Sequence, residues 1–264
     1  MKTTDNTILI TGGGSGIGRA LAEAFHQLGN QVIIAGRRQG VLDEVTAANP
    51  GMHSAQLDIE SASSIQSFAE KIKRDHPALN VVIHNAGIMR TELVATGALA
   101  DAEATVATNL LGPIRLTAAL LPFLLAQQNA AQPPVIMTVS SGLAFLPLTL
   151  NPTYCATKAA IHSYTQSLRY QLRNTSVQVL ELIPPYVQTE LQGAHQATDP
   201  HAMPLSDFIT EVMSILTNSP EATEICVERV KPLRQAEASG KYDIIFENLN
   251  QMMGAASATG PAQK

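Results

Sequence analysis

Ile8-Leu9-Ile10-Thr11-Gly12-Gly13-Gly14-Ser15-Gly16-Ile17-Gly18 is the stretch whose reading decides the fold. An apolar run enters a glycine-rich turn and leaves it as Arg19-Ala20-Leu21-Ala22-Glu23-Ala24-Phe25, a helical pattern that ends near Gly29. Strand, glycine turn and helix in that order make a phosphate cradle. Gly12 permits the tight turn, Gly16 allows close backbone approach, and Gly18 lets helix and strand pack closely. With Gly14, Ser15 and Ile17 they surround the free N–H groups of a helix start, which suit a pyrophosphate. The rival reading is a flexible loop rich in glycine; the clear strand and helix on either side favour the cradle.

Outward from this turn, strand and helix alternate. Strands are expected at 32–35, 52–58, 81–84, 135–140 and 177–183, with a short last one at 224–227. Helices are expected at 39–49, 61–75 (capped near Ser61 or Ser63), 101–128 and 153–174, with helical material after the last strand up to residue 249. Short β-branched runs without strict alternation suit strands buried on both faces of a parallel sheet. Right-handed crossovers then give a doubly wound α/β sheet that binds ligands at the carboxyl ends of its strands. Residues 1–253 read as one domain, with 190–205 as a small, polar lid, and 254–264 as a tail disordered unless it packs on a neighbour.

Composition fits one enzyme domain. A chain of 264 residues with 45% hydrophobic and 15% charged residues buries a sizeable core and is not a disordered sequence. The apolar run at 118–126 is interrupted by Pro122 and too short for a bilayer, and residues 1–7 lack a secretory pattern. A net charge of −5 leaves no basic footprint for nucleic acid. Cys155 and Cys226 make neither a disulfide framework nor a metal cluster, so no metal is expected and the cytoplasm is the natural compartment.

Tyr154-Cys155-Ala156-Thr157-Lys158 carries the chemistry. A spacing of four puts phenol and ammonium on one helix face. A buried ammonium beside a phenol favours the phenolate, which makes the tyrosine a general acid or base. Alone this pair is as often a solvated helix face. Its weight comes from the glycine turn and from Ser141, thirteen residues upstream of the tyrosine.

Together, Thr11-Gly12-x-x-x-Gly16-x-Gly18, His84-Asn85-Ala86-Gly87, Ser141 and Tyr154-x-x-x-Lys158 resemble the short-chain dehydrogenase/reductase family. Pro113-Ile114-Arg115-Leu116-Thr117, the segment 159–167 and Leu182-Ile183-Pro184-Pro185 are similar to its DltE-like branch. The resemblance implies a nicotinamide cofactor and hydride transfer to or from a carbonyl or alcohol carbon. Tyr154 would exchange the proton, Ser141 would orient the carbonyl oxygen, and Lys158 would bind the nicotinamide ribose. Asn109 would help hold a water beside the lysine; its other reading is helix-surface polarity. Asp58, with Ile59, would meet the adenine, unless Asp58 merely caps a turn. Asn85, Ala86 and Gly87 would let the backbone approach the cofactor, and His84 reads as a structural core group. Pro184, Val187 and Thr189 would lie at the nicotinamide carboxamide, with Pro185 standing where the family commonly has glycine.

Cofactor choice is read from the end of the second strand. A family member using NAD usually closes it with a carboxylate; here Gly36 is followed by Arg37 and Arg38. Guanidinium groups grip a 2′-phosphate, so NADP(H) is expected, with Arg37 the first contact and Arg38 the second; ordinary solvated charges are the alternative. Leu143, Phe145, Leu146, Leu148 and Tyr186 would line an apolar pocket, or belong to the core or an interface, and His195 and His201 sit in the lid. A small carbonyl or alcohol is the expected substrate. Leu116, Leu120, Phe123, Leu124, Leu168 and Leu172 exceed one core-facing stripe, which suggests a homodimer or homotetramer. The alternative to an enzyme is a nucleotide-binding sensor or scaffold of the same fold; such a protein can lose Tyr154 or Lys158, and this chain keeps both.

Overall fold

β1 (Thr7–Thr11) pairs with β2 (Gln31–Gly36) on one side and β4 (Val81–His84) on the other, both parallel. In this computed structural model, which describes residues 1–127 and 132–258, β3 (His53–Gln56), β5 (Val135–Val139), β6 (Gln178–Ile183) and β7 (Glu224–Cys226) complete the sheet. Its order is β3-β2-β1-β4-β5-β6-β7, with every neighbouring pair parallel. The reversal falls between β1 and β4, the place where a doubly wound sheet opens a crevice at its carboxyl edge.

Helices cover both faces: α1 (Gly16–Gln27), α2 (Gln39–Ala48), α3 (Ala62–Asp75), α4 (Ala100–Val106), α5 (Gly112–Leu125) and α6 (Pro152–Leu172). The short α7 (Ala194–Ala197) and α9 (Lys231–Arg234) flank α8 (Leu205–Asn218), and α10 (Tyr242–Ala258) ends the described chain. Alternate side chains of β1 feed opposite cores. Ile8 and Ile10 join Leu21, Phe25 and Phe208, whereas Leu9 joins Ile33, Phe68 and Leu116. Two covered faces explain why the strands lack an exposed polar stripe. The Ser61 hydroxyl caps α3 by accepting from Ser64 N at 3.2 Å.

Several expectations are corrected. The segment expected as one helix over 101–128 contains a π-helical turn, Ala107–Leu111, between α4 and α5; residue 128 lies outside the described ones. Taken together, Ala100–Leu125 is long and apolar enough to cross a membrane by length and composition, but Leu116, Leu120 and Leu124 are buried against the sheet. Leu168 and Leu172 lie in the same core, so these five leucines are explained within one chain. The large apolar residues exposed on this pair of helices and the turn are Leu111, Leu125 and Tyr170. α10 runs through Gly254 to Ala258, into the segment expected as a tail disordered unless it packs on a neighbour; residues 259–264 lie outside the described ones.

Candidate active site

The glycine turn is shaped as its sequence requires. Gly12 and Gly16 have φ of 68° and 52°, the left-handed region that favours glycine. A Cβ on Gly12 would come within 2.9 Å of Ala86 Cα, and one on Gly18 would collide with the Gly12 carbonyl and the Asn85 amide. Asn85 itself donates to Thr11 O at 3.0 Å, and the Asn85 and Ala86 N–H groups both donate to Thr11 Oγ1 at 3.1 Å. Thr11 thus pins the end of β4 to the end of β1, a role the sequence reading missed. Ser15 precedes α1 and its side chain makes no capping bond. A helix start left uncapped, beside a turn where Gly12, Gly13 and Gly18 leave no room for a Cβ, fits a pyrophosphate.

A cleft of about 400 Å³ runs from this turn to Ser141, Tyr154 and Lys158. β5 ends just before Ser141, whose Oγ accepts from Leu143 N at 3.1 Å and caps a single 3₁₀ turn, Gly142–Ala144. Tyr154 sits on the first turn of α6 and lines the cleft with Ser141. Lys158, one turn on, is buried, and its Nζ donates to Val139 O at 2.8 Å. Burial pushes the Tyr154 phenol up, against the opposing pull of its bond with Ser141. Burial also draws the Lys158 amine down to about 8, with Glu181 acting the other way. The expected lowering of the phenol by a neighbouring ammonium does not appear: burial raises the phenol, the opposing pull comes from Ser141, and Lys158 bonds a carbonyl.

Asn109 occupies the centre of the π turn and points inward. Its Oδ1 accepts from Ile88 N at 2.9 Å, while Nδ2 donates to Ile88 O at 2.9 Å and Thr157 Oγ1 at 3.3 Å. This amide clamps the strand loop after Gly87 to α6, and the surface-polarity reading fails. The same loop is stapled again at Arg90, whose carbonyl accepts from Asn151 Nδ2 at 2.7 Å, and at Glu92, which accepts from Thr153 N and Oγ1. His84 is a buried core group: Nε2 lies 2.9 Å from Thr117 Oγ1, and burial pushes its pKa down to about 4.

A second recess of about 160 Å³ adjoins the cleft and is lined by Gly14, Arg37, Arg38 and Ile59. Of the expected site residues, all but Gly18, Asp58 and Asn109 line one space or the other. Asp58 lines neither space, and its Oδ1 accepts from Glu60 N at 3.1 Å, as a turn-capping aspartate does. Arg37 donates to Glu60 Oε1 at 3.0 Å, and the same oxygen accepts from Thr108 Oγ1 at 2.8 Å. Arg38 lines both spaces, whereas Arg37 lines the recess alone. Nothing local in the sequence announces Glu60, because its partners lie 23 and 48 residues away.

At the other end, Pro184, Pro185, Val187 and Thr189 line the cleft beyond β6. Pro185 leaves the turn intact: Gly142 N still donates to Pro184 O at 2.9 Å. The 190–205 segment is tied down, since Gln196 Nε2 donates to Val187 O at 2.8 Å and Tyr186 OH to Asp199 at 3.0 Å. Gln196 lines the cleft; His195 and His201 do not. Leu143 and Leu148 pack around Tyr154 with Met89 and Met253, whereas Phe145 joins the other core. Cys155 donates to Leu148 O as a packed thiol, pushed up to about 11 by burial.

The short chain dehydrogenase family profile matches residues 6–200. The chain belongs to this family. It is 40% identical over 256 residues to the uncharacterized oxidoreductase DltE of Bacillus subtilis (strain 168), covering 95% of this chain and 98% of that one. A serine dehydrogenase in closed form with NADP+ aligns with a TM-score of 0.72 and 26% identity over 80% of this chain and 88% of its own. A short-chain dehydrogenase/reductase of Burkholderia phymatum with NAD aligns with a TM-score of 0.78 and 21% identity, over 90% and 95% of the two chains. Membership of the family makes this chain a dehydrogenase or reductase.

Proposed function

We propose that this protein is an NADP(H)-dependent carbonyl reductase or alcohol dehydrogenase that acts on a ketone, aldehyde or secondary alcohol. The observation that carries the reading is that Ser141, Tyr154 and buried Lys158 line one cleft, continuous with the glycine cradle, with the phenol and the amine one helical turn apart. A bound nicotinamide supplies or accepts the hydride. Ser141 presents its hydroxyl to the substrate oxygen and orients it beside Tyr154. In the reducing direction the Tyr154 hydroxyl gives its proton to that oxygen; its upward-shifted pKa keeps it protonated at neutral pH. Lys158 supplies positive charge below the ring, its Nζ 5.5 Å from the ring centroid. Asn109 holds the Ile88 backbone and α6 in register and so fixes where Tyr154 stands.

Arg38 and Arg37 support NADP(H), because the recess they line offers guanidinium groups to a 2′-phosphate. The segment 190–205 serves as a lid through Gln196, and residues 1–253 act as one catalytic unit with the remainder as a tail. A cytoplasmic homodimer or homotetramer is the proposed working form, paired through the outer faces of α5 and α6, where Leu125 and Tyr170 are exposed.

A panel of aldehydes and ketones, with NADPH consumption followed by absorbance, tests the activity. Turnover that NADH supports poorly is the expected result. Tight NADPH binding without turnover of any carbonyl or alcohol would favour the sensor or scaffold instead.

A further inference from the structure

Arg90 lies in the loop after β4, two residues beyond the Ile88 backbone that Asn109 clamps. Its carbonyl accepts from Asn151 Nδ2 at 2.7 Å, and Asn151 is the residue before α6, three positions ahead of Tyr154. Its buried neighbour Met89 packs with Tyr154, and the Met89 sulfur accepts from Gln192 Nε2 of the lid segment at 3.2 Å. Glu92 fastens the far side of the loop, its N–H donating to Leu150 O at 3.0 Å. The backbone of Arg90 is therefore fixed between the start of α6 and the lid. The residue lines the main cleft together with Tyr154, Leu191 and Gln196, and it does not line the adjoining recess.

Arginines elsewhere in the chain are spoken for. Among the described residues, each of the others donates to a carboxylate or a backbone carbonyl, and only the guanidinium groups of Arg38 and Arg90 donate no hydrogen bond. Those two are also the arginines that line the main cleft. Arg38 lines the recess as well and is taken up by the cofactor reading, which leaves Arg90. Its ion pair is with Asp101 of α4 at 3.9 Å, beyond hydrogen-bond reach, with both side chains more than half exposed to screening water. Glu190, at the start of the lid, is the one acid lining the cleft, and it forms no ion pair with Arg90 among the described residues. A guanidinium keeps its charge at any working pH and presents its donors as a fixed fork.

We propose that Arg90 is a specificity-determining residue and that the substrate carries a carboxylate: an oxo acid in the reducing direction, a hydroxy acid in the other. One guanidinium matches one carboxylate through two parallel bonds, which sets the orientation of the molecule as well as its charge. Because the Arg90 backbone is tied to the residue before α6, a carboxylate held there places the carbonyl at a set distance from Tyr154. A fork already free of other bonds has none to break when the substrate arrives. This inference rests on the carbonyl-reductase reading for its chemistry; the anion site itself does not.

Two measurements on the full chain test it. The first compares kcat/KM, with NADPH, for pyruvate, acetoacetate and levulinate and for the methyl ester of each, which keeps the carbonyl and removes the charge. The wild type should favour at least one acid over its ester by about tenfold or more, and Arg90→Ala should bring that ratio close to one. Arg90→Lys keeps the charge without the fork and should keep part of the preference. Asp101→Asn should leave the preference standing, which it would not do if Arg90→Ala acted by breaking the Arg90–Asp101 pair. The second follows calorimetric binding of lactate and β-hydroxybutyrate to the protein–NADPH complex, in which no reaction can occur. Binding should weaken about tenfold in Arg90→Ala and fall with added salt. Acids no better than their esters in the wild type, or an equal loss on acid and ester in Arg90→Ala, would overturn the proposal. Hydroxy-acid binding that depends on Arg90, in a protein that turns over no carbonyl, would keep the anion site and overturn the reductase reading; neither turnover nor hydroxy-acid binding would overturn both.

Discussion

Lys158 Nζ lies 5.5 Å from the Tyr154 ring centroid, yet it gives its hydrogen bond to the carbonyl of Val139 at 2.8 Å. The pair is thus ordered by the backbone rather than by a bond between the two side chains. β5 ends under the helix, its last carbonyl holds the ammonium, and Ser141, two residues further on, lines the cleft beside the phenol. Strand and helix fix a donor and a cation at set distances before any ligand arrives. Preorganisation of this kind lowers the cost of reorienting dipoles during reaction.

Tyr154→Phe removes the proton donor and leaves the ring. The variant should fold and bind cofactor as the wild type does while turnover falls roughly 10²- to 10⁴-fold. Ser141→Ala removes the hydroxyl proposed to orient the substrate oxygen and should cost about 10²-fold or more in kcat. Steady-state kinetics on the purified variants, with cofactor titrated separately, checks both; near-normal turnover by Tyr154→Phe would move the proton transfer to another group.

His84 predicts a weakness in acid. Its pKa falls from 6.5 in the unfolded chain to about 4 in the buried site, so the unfolded chain binds more protons between those values. Stability from this group is therefore present above pH 6.5 and is lost as pH drops toward 4, by about 3 kcal/mol in all. Urea unfolding at a series of pH values should show that slope in the wild type. His84→Asn keeps a polar group facing Thr117 but cannot take up the proton, and should flatten it; the same slope in both proteins would contradict the assignment.

Much of this arrangement is legible from local patterns. The glycine turn, the Ser61 cap and the Tyr154–Lys158 spacing each depend on residues a few positions apart, and the structure places them as read. What was misread depends on distant partners. A π turn adds one residue to a helix without changing its composition, so the helix expected over 101–128 gave no sign of the turn that aims Asn109 inward. The leucines of α5 and α6 form an apolar face, and sequence cannot say whether a sheet or a second subunit covers it; Leu116 and Leu168 meet the sheet. Asp58 and Glu60 are two residues apart, and only the fold shows that Glu60 holds Arg37 while Asp58 caps its own turn.

Gly18 and Gly40 make a matched test of the cradle. A Cβ on Gly18 meets the Gly12 carbonyl, a backbone atom that cannot swing aside, whereas nothing lies within 4 Å of one on Gly40. Gly18→Ala should cost about 1–3 kcal/mol and sharply weaken cofactor binding, because the turn must shift. Gly40→Ala, within α2, should gain up to about 1 kcal/mol from helix propensity and leave binding unchanged. Thermal unfolding with and without cofactor separates the two; equal behaviour would mean that the turn is looser than its geometry.

Arg38 is the side chain on which cofactor choice should turn. It lines both the main cleft and the adjoining recess, whereas Arg37 lines the recess alone and is paired with Glu60 at 3.0 Å. Losing a charged hydrogen bond to a phosphate costs about 1.5–3 kcal/mol, so Arg38→Ala should weaken NADPH roughly ten- to a hundred-fold. NADH has no 2′-phosphate and should bind almost as before. Arg37→Ala should cost less, because that guanidinium must first leave a carboxylate to reach a phosphate. Glu60→Gln releases it and should therefore tighten NADPH modestly without changing NADH. Calorimetric titration of both cofactors against the wild type and the three variants checks the whole set. Equal losses for NADPH and NADH in Arg38→Ala would sink the phosphate assignment, and a larger NADPH loss in Arg37→Ala than in Arg38→Ala would restore Arg37 as the principal contact.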